Sequence, residues 1–86
     1  MNNLEKPLKA LANRRRLAII KLLKNRREAS VGEIADHIKL SMKATSKHLV
    51  ILSANDIVQR EQRSSQMFYS LSVEQKPVVS KVLTIL

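Results

Sequence analysis

Apolar residues recur along this 86-residue chain at helical spacing in five stretches, separated by short polar joints. Leu4, Leu8 and Leu11 mark a short amphipathic helix. Proline is tolerated in a first helical turn, so Pro7 places this helix over about residues 6–12. Asn13 can cap a second helix over residues 14–24, with Ile19, Ile20 and Leu23 turned inward. The stretch Arg26-Arg27-Glu28-Ala29 is polar enough for a loop or a short edge segment. Ser30 with Glu33 three residues on is a capping-box start for a helix to Ile38, and Ser41 caps another in which Thr45, Leu49 and Leu52 fall on one face. Only Lys39 and Leu40 join these two helices, a link tight enough to force a large crossing angle, so residues 30–52 read as a helix-turn-helix.

The pattern then changes. Residues 57–61 and 67–71 are rich in strand formers and flank the polar run Gln62-Arg63-Ser64-Ser65-Gln66, which predicts a β-hairpin wing over 57–71. A last helix over 76–86, with Pro77 in its first turn, carries Val78, Val79, Val82, Leu83 and Leu86 on one stripe. The predicted fold is mainly α with a small β-hairpin, a winged helix-turn-helix filling one domain over residues 1–86. Its small core leaves apolar surface over on the first and last helices. Leu4, Leu8, Leu11, Val78, Val79, Val82, Leu83 and Leu86 are therefore read as a homodimer interface, the alternative being packing within one subunit.

Charge narrows the class of partner. Sixteen Lys and Arg against seven Asp and Glu give a net charge of +9, which favours a polyanion. The helix opened by Ser41 turns Met42, Lys43, Ser46 and Lys47 away from the core, a small, basic, hydroxyl-bearing face suited to reading bases and phosphates of double-stranded DNA. Arg63 at the wing tip, with Arg60 close by, is placed to reach a minor groove or backbone. The cluster Arg14-Arg15-Arg16 stands at the unfavourable end of a helix dipole, which points to phosphate or an acidic neighbour, or else to a solvated helix start. A non-specific or architectural DNA binder would use the same charge. With only Phe68 and Tyr69 as aromatics, however, a stacking platform for single strands is poorly supported.

Other chemistries find little support. The chain has no cysteine, which excludes disulfides, thiolate metal sites and thiol redox sensing within it. There is no glycine-rich phosphate loop and no nucleophile with a matching base; Ser46 and His48 are two residues apart on a helix and face different ways, so no enzyme activity is expected. His48, next to the core stripe, reads as a structural histidine rather than a DNA contact or pH switch. No apolar run is long enough to span a bilayer and no signal-peptide core is present, so a cytoplasmic protein without a membrane partner is expected.

Several strings, in this order and spacing, resemble the ArsR family of winged-helix transcriptional repressors over about Leu8 to Leu71. They are Leu8-Lys9-Ala10-Leu11-Ala12-Asn13 with Arg16-Leu17 and Ile19-Ile20, then Ser30-Val31-Gly32-Glu33-Ile34-Ala35, then Ser46-Lys47-His48-Leu49 with Leu52. Ile57-Val58 and Phe68-Tyr69 with Leu71 complete the set. The resemblance implies a homodimer, joined through the first and last helices, that sets two recognition helices in successive major grooves and represses by occluding a promoter. It implies DNA contacts from Ser41, Met42, Lys43, Ser46, Lys47 and Arg63. Family members often have glutamine where Met42 stands; methionine replaces an adenine-pairing amide with apolar contact, as to a thymine methyl. The metal-sensing cysteines match Ser30 and Gly32, and the last segment offers Glu74 without a histidine. No metal or cofactor is expected, and any signal must come from another effector or a protein partner. The family's glycines also give way to Lys39 and Asp56. Asp56 tolerates left-handed backbone, whereas Lys39 predicts a turn that differs from the family's by a residue.

Overall fold

The computed structural model describes residues 2–86, with side chains from Leu4 onward. The elements run α1 (Asn2–Leu11), α2 (Arg14–Arg26), β1 (Glu28–Ser30), α3 (Val31–Ile38), α4 (Met42–Ala54), β2 (Val58–Arg63), β3 (Gln66–Leu71) and α5 (Pro77–Ile85). Three of the caps are local chemistry. The Asn13 side chain accepts from the N–H groups of Arg15 and Arg16. Ser30 and Glu33 bond each other's backbone N–H in a complete capping box, and the Ser41 hydroxyl accepts from Ala44 N–H. Glu33 is held below the usual carboxylate range, first by the Ser30 N–H and then by Arg26.

The first helix starts earlier than the proline rule placed it. α1 begins at Asn2, so Pro7 lies inside it and cannot donate to the carbonyl one turn back. Its ring is fully buried, and that packing offsets the lost hydrogen bond.

The sheet is also larger than a hairpin. β1 pairs antiparallel with β3, Ala29 opposite Tyr69, giving the order β1-β3-β2. The expected polar run 62–66 is mostly strand: Arg63 faces Gln66 and only Ser64 and Ser65 form the turn. Ser64, with φ 55°, supplies the left-handed backbone that such short loops require. Lys39 likewise adopts the left-handed region, φ 57° and ψ 50°, the backbone geometry in which glycine is favoured.

Ile19, Ile20 and Leu23 of α2 meet Ile34 of α3, Leu49 and Leu52 of α4, Ile57 before β2 and Val79 of α5 in one core. Thr45 is fully buried beside Leu49, and its hydroxyl has no hydrogen-bond partner among the described residues. α5 packs on α1 and α2, and the Lys24 ammonium donates to the Leu83 carbonyl at 2.6 Å. No helix of the described residues is long and apolar enough to cross a membrane.

Candidate nucleic-acid interface

Burying Thr45, Leu49 and Leu52 fixes the rotation of α4 and leaves Met42, Lys43, Ser46 and Lys47 exposed on the opposite face. Met42 is 56% exposed, a large apolar side chain held in solvent at the start of a helix. No acidic residue lies in α4, and neither Lys43 nor Lys47 makes an ion pair among the described residues. Elsewhere acids are partly neutralised: Arg26 binds Glu33 at 2.7 Å and Lys9 binds Glu5 at 3.3 Å. The positive charge of the α4 face is therefore uncompensated, and it adds to the positive end of the helix dipole.

One groove collects the rest of the surface. It is lined by Ser30, Val31 and Gly32 at the start of α3, Met42 and Ser46 of α4, and Ser65, Gln66 and Met67 of the wing. The tip of the wing and the first turns of α4 thus share one concave face, in which a polyanion can touch both. Sequence reasoning misses Ser65, Gln66 and Met67, because their position depends on a two-residue turn that the polar run 62–66 does not mark.

Arg63 is placed differently from an unattached wing-tip cation. Its Nη2 bonds the Glu28 carboxylate on β1 and lies 3.6 Å from Glu61, and its guanidinium stacks 4.3 Å from the Phe68 ring centre. Glu28 is pushed below the usual carboxylate range, first by that Arg63 hydrogen bond. Among the described residues only Nη2 of the fork is engaged, which leaves Nε and Nη1 as donors.

The arginine cluster divides. Arg14 is exposed. Arg15 donates from Nη1 to the Ile38 carbonyl at 3.2 Å, tying α2 to the end of α3. Arg16 donates to the Ala10 carbonyl at 2.6 Å, to Lys9 at 3.2 Å, and from Nη1 to His48 Nδ1 at 3.1 Å. The acidic neighbour or phosphate expected for these two is in fact a set of helix C-terminal carbonyls, which carry the negative end of the dipole. Because an arginine only donates, Nδ1 of His48 must accept and the ring is neutral. Burial is the main cause that lowers its pKa below 6.5, followed by the charges of Arg16 and Arg15. His48 thus links α4 to Arg16 of α2, whose other bonds reach the end of α1.

Of the residues proposed for a dimer face, Leu11 and Val79 are 4% and 1% exposed and belong to the core of their own subunit. Val78, Val82, Leu83 and Leu86 are half-buried against that core. Leu4 and Leu8 are 39% and 42% exposed, and Leu4 lines an apolar groove with Pro77 and Val78. Ile85, 81% exposed, extends the apolar surface and was missed.

Known proteins share this arrangement. Residues 13–60 match the family model described as bacterial regulatory protein, arsR family. The transcriptional activator HlyU of Vibrio cholerae is 42% identical over 65 residues, a match spanning 76% of this chain and 59% of the relative. This chain thus spans about three fifths of that relative's length. Reduced HlyU from V. cholerae superposes with a TM-score of 0.83 at 33% identity, covering 98% of this chain and 84% of that one. NolR from Sinorhizobium fredii gives 0.84 at 32%, covering 98% and 80%. The homodimeric winged helix-turn-helix DNA-binding domain Mb0332 (fragment 1-100) from Mycobacterium bovis gives 0.83 at 25%, covering 98% and 74%. With the family model matching more than half of its residues, this chain belongs to the ArsR family of bacterial regulatory proteins.

Proposed function

We propose that this chain is a sequence-specific double-stranded DNA-binding transcriptional regulator that acts as a homodimer in the cytoplasm and catalyses no reaction. The observation that carries the reading is the exposed face of α4: Met42, Lys43, Ser46 and Lys47 lie on a helix with no carboxylate, and Met42 and Ser46 of that face share a concave surface with the wing tip. Ser41 holds the first turn of that helix, and Arg63 presents its remaining donors from the wing. The homodimeric state of the Mb0332 domain supports pairing through the apolar surface around Leu4, Leu8, Val78, Val82, Leu83 and Leu86. Two copies then present α4 to half-sites about 34–36 Å apart, one turn of duplex. Whether transcription rises or falls follows from where the operator lies relative to the promoter. The relative HlyU is named an activator, whereas the family resemblance implied repression. Any signal acts through an effector or protein partner that does not depend on thiol chemistry of this chain, which has no cysteine.

The test is discrimination between operators. Lys43→Ala with Ser46→Ala reduces the preference for a cognate duplex over a scrambled one more than it reduces binding to the scrambled duplex, with each lost base contact contributing about 1–3 kcal/mol. Unchanged discrimination in the double variant removes α4 as the reading element.

A further inference from the structure

Four described residues adopt positive φ, and none is glycine: Arg27, Lys39, Asp56 and Ser64. The chain's one glycine, Gly32, lies inside α3 at an ordinary backbone position. Two of the four have a local account: aspartate tolerates the left-handed region, and Ser64 sits in a two-residue hairpin loop. The other two are cations that close a helix, Arg27 at the end of α2 with its N–H on the Leu23 carbonyl and Lys39 at the end of α3; of these only Lys39 lies on the joint to α4. Its N–H closes α3 on the Ala35 carbonyl, which glycine or asparagine does at lower cost in backbone strain. The α3 dipole favours a cation at this end, but that gain is offset by the left-handed backbone, so stability does not select a lysine.

The side chain is exposed, and its ammonium makes no hydrogen bond or ion pair among the described residues. It stands two residues before Ser41 and four before Lys43, on the joint that delivers α4 to its surface. We infer that Lys39 is a DNA phosphate contact, kept in a glycine-type backbone position for its charge, so that each half-site is gripped by the turn as well as by α4 and the wing. The inference rests on the DNA-binding reading above and adds a residue to it.

The experiment compares wild type, Lys39→Gly, Lys39→Arg and Lys21→Gln on one duplex, with affinity measured by fluorescence anisotropy across 50–300 mM salt and thermal melting followed in parallel. Lys21 is exposed on α2, outside the turn, α4 and the wing, so its variant changes net charge equally. Lys39→Gly melts at or above the wild-type temperature yet loses about 1.8 from the slope of log K against log salt, 0.9 for each half-site. That is about sixtyfold in affinity at 0.1 M salt. Lys39→Arg keeps the slope, and Lys21→Gln keeps it too. A Lys39→Gly protein with wild-type slope and affinity, or a Lys21→Gln protein with the same loss, overturns the inference while leaving the DNA-binding reading intact. A wild-type protein that ignores duplex DNA overturns that reading instead.

Discussion

Replacing Arg16 by alanine tests whether the basic cluster at the start of α2 is structural. The guanidinium makes three hydrogen bonds, to Ala10, Lys9 and His48. The Lys9 bond is exposed, and water replaces it at little cost. The other two are partly buried with an ionised donor, each about 1.5 kcal/mol at the low end of such bonds. Removing a cation from the first turn of α2 returns about 0.3–1 kcal/mol, because the helix dipole opposes it there. The net loss is about 2 kcal/mol, a large share of the margin of a small domain. In urea unfolding at fixed protein concentration, with a slope near 1 kcal/mol per molar for a chain of this size, the midpoint falls by about 2 M. Arg14→Ala, by contrast, changes the midpoint little, since Arg14 is exposed. Arg16→Lys keeps the charge but not the fork, and recovers only a minor part of the loss. An Arg16→Ala protein as stable as Arg14→Ala shows that the guanidinium bonds hold nothing together, and so does full rescue by lysine. A double-mutant cycle with His48→Ala isolates the Arg16–His48 link between α2 and α4, with a coupling of about 1 kcal/mol expected and zero coupling excluding it.

Three further outcomes follow from particular groups. His48 is neutral in the folded chain with its pKa below 6.5, so between the two values the unfolded chain binds more protons; stability is complete above about pH 6.5 and falls as the pH drops below it. Urea midpoints from pH 8 to 5 show this fall and His48→Gln lacks it, whereas the lowered Glu28 and Glu33 act only below about pH 4.5. Thr45→Val removes a buried hydroxyl that lacks a partner and raises stability by about 1 kcal/mol in the same assay; a destabilised variant shows that the hydroxyl is bonded after all. Leu8→Asp places a charge on the exposed face of α1 and shifts sedimentation from dimer to monomer with the circular dichroism of the fold retained; an unshifted dimer puts the interface elsewhere.

What could be read from the sequence was local. Asn13, Ser30 with Glu33, and Ser41 announce helix starts through bonds spanning two or three residues, and the spacing of Thr45, Leu49 and Leu52 fixes which side of α4 faces out. What escaped depends on partners distant in the chain. Arg16 meets His48 across 32 residues, and Arg63 meets Glu28 across 35, so neither could be told from a solvated cation. β1 is three residues long and is a strand only because Glu28, Ala29 and Ser30 lie beside β3. Pro7 misled because its cost is visible in the sequence, whereas the buried pocket that offsets it is not. Lys39 adopts a left-handed φ of 57° that glycine would hold at lower cost, and nothing in the neighbouring sequence announces that a lysine takes it.

The central claim is that two copies of the α4 face read a defined DNA sequence, and selection of binding sites from a random double-stranded pool at about physiological salt addresses it most directly. The expected result is an enriched inverted repeat with half-site centres about one helical turn apart, lost when Lys43 and Ser46 are replaced by alanine. Retained binding with no enriched motif contradicts it, and assigns the +9 charge to coating or packaging DNA without regard to sequence.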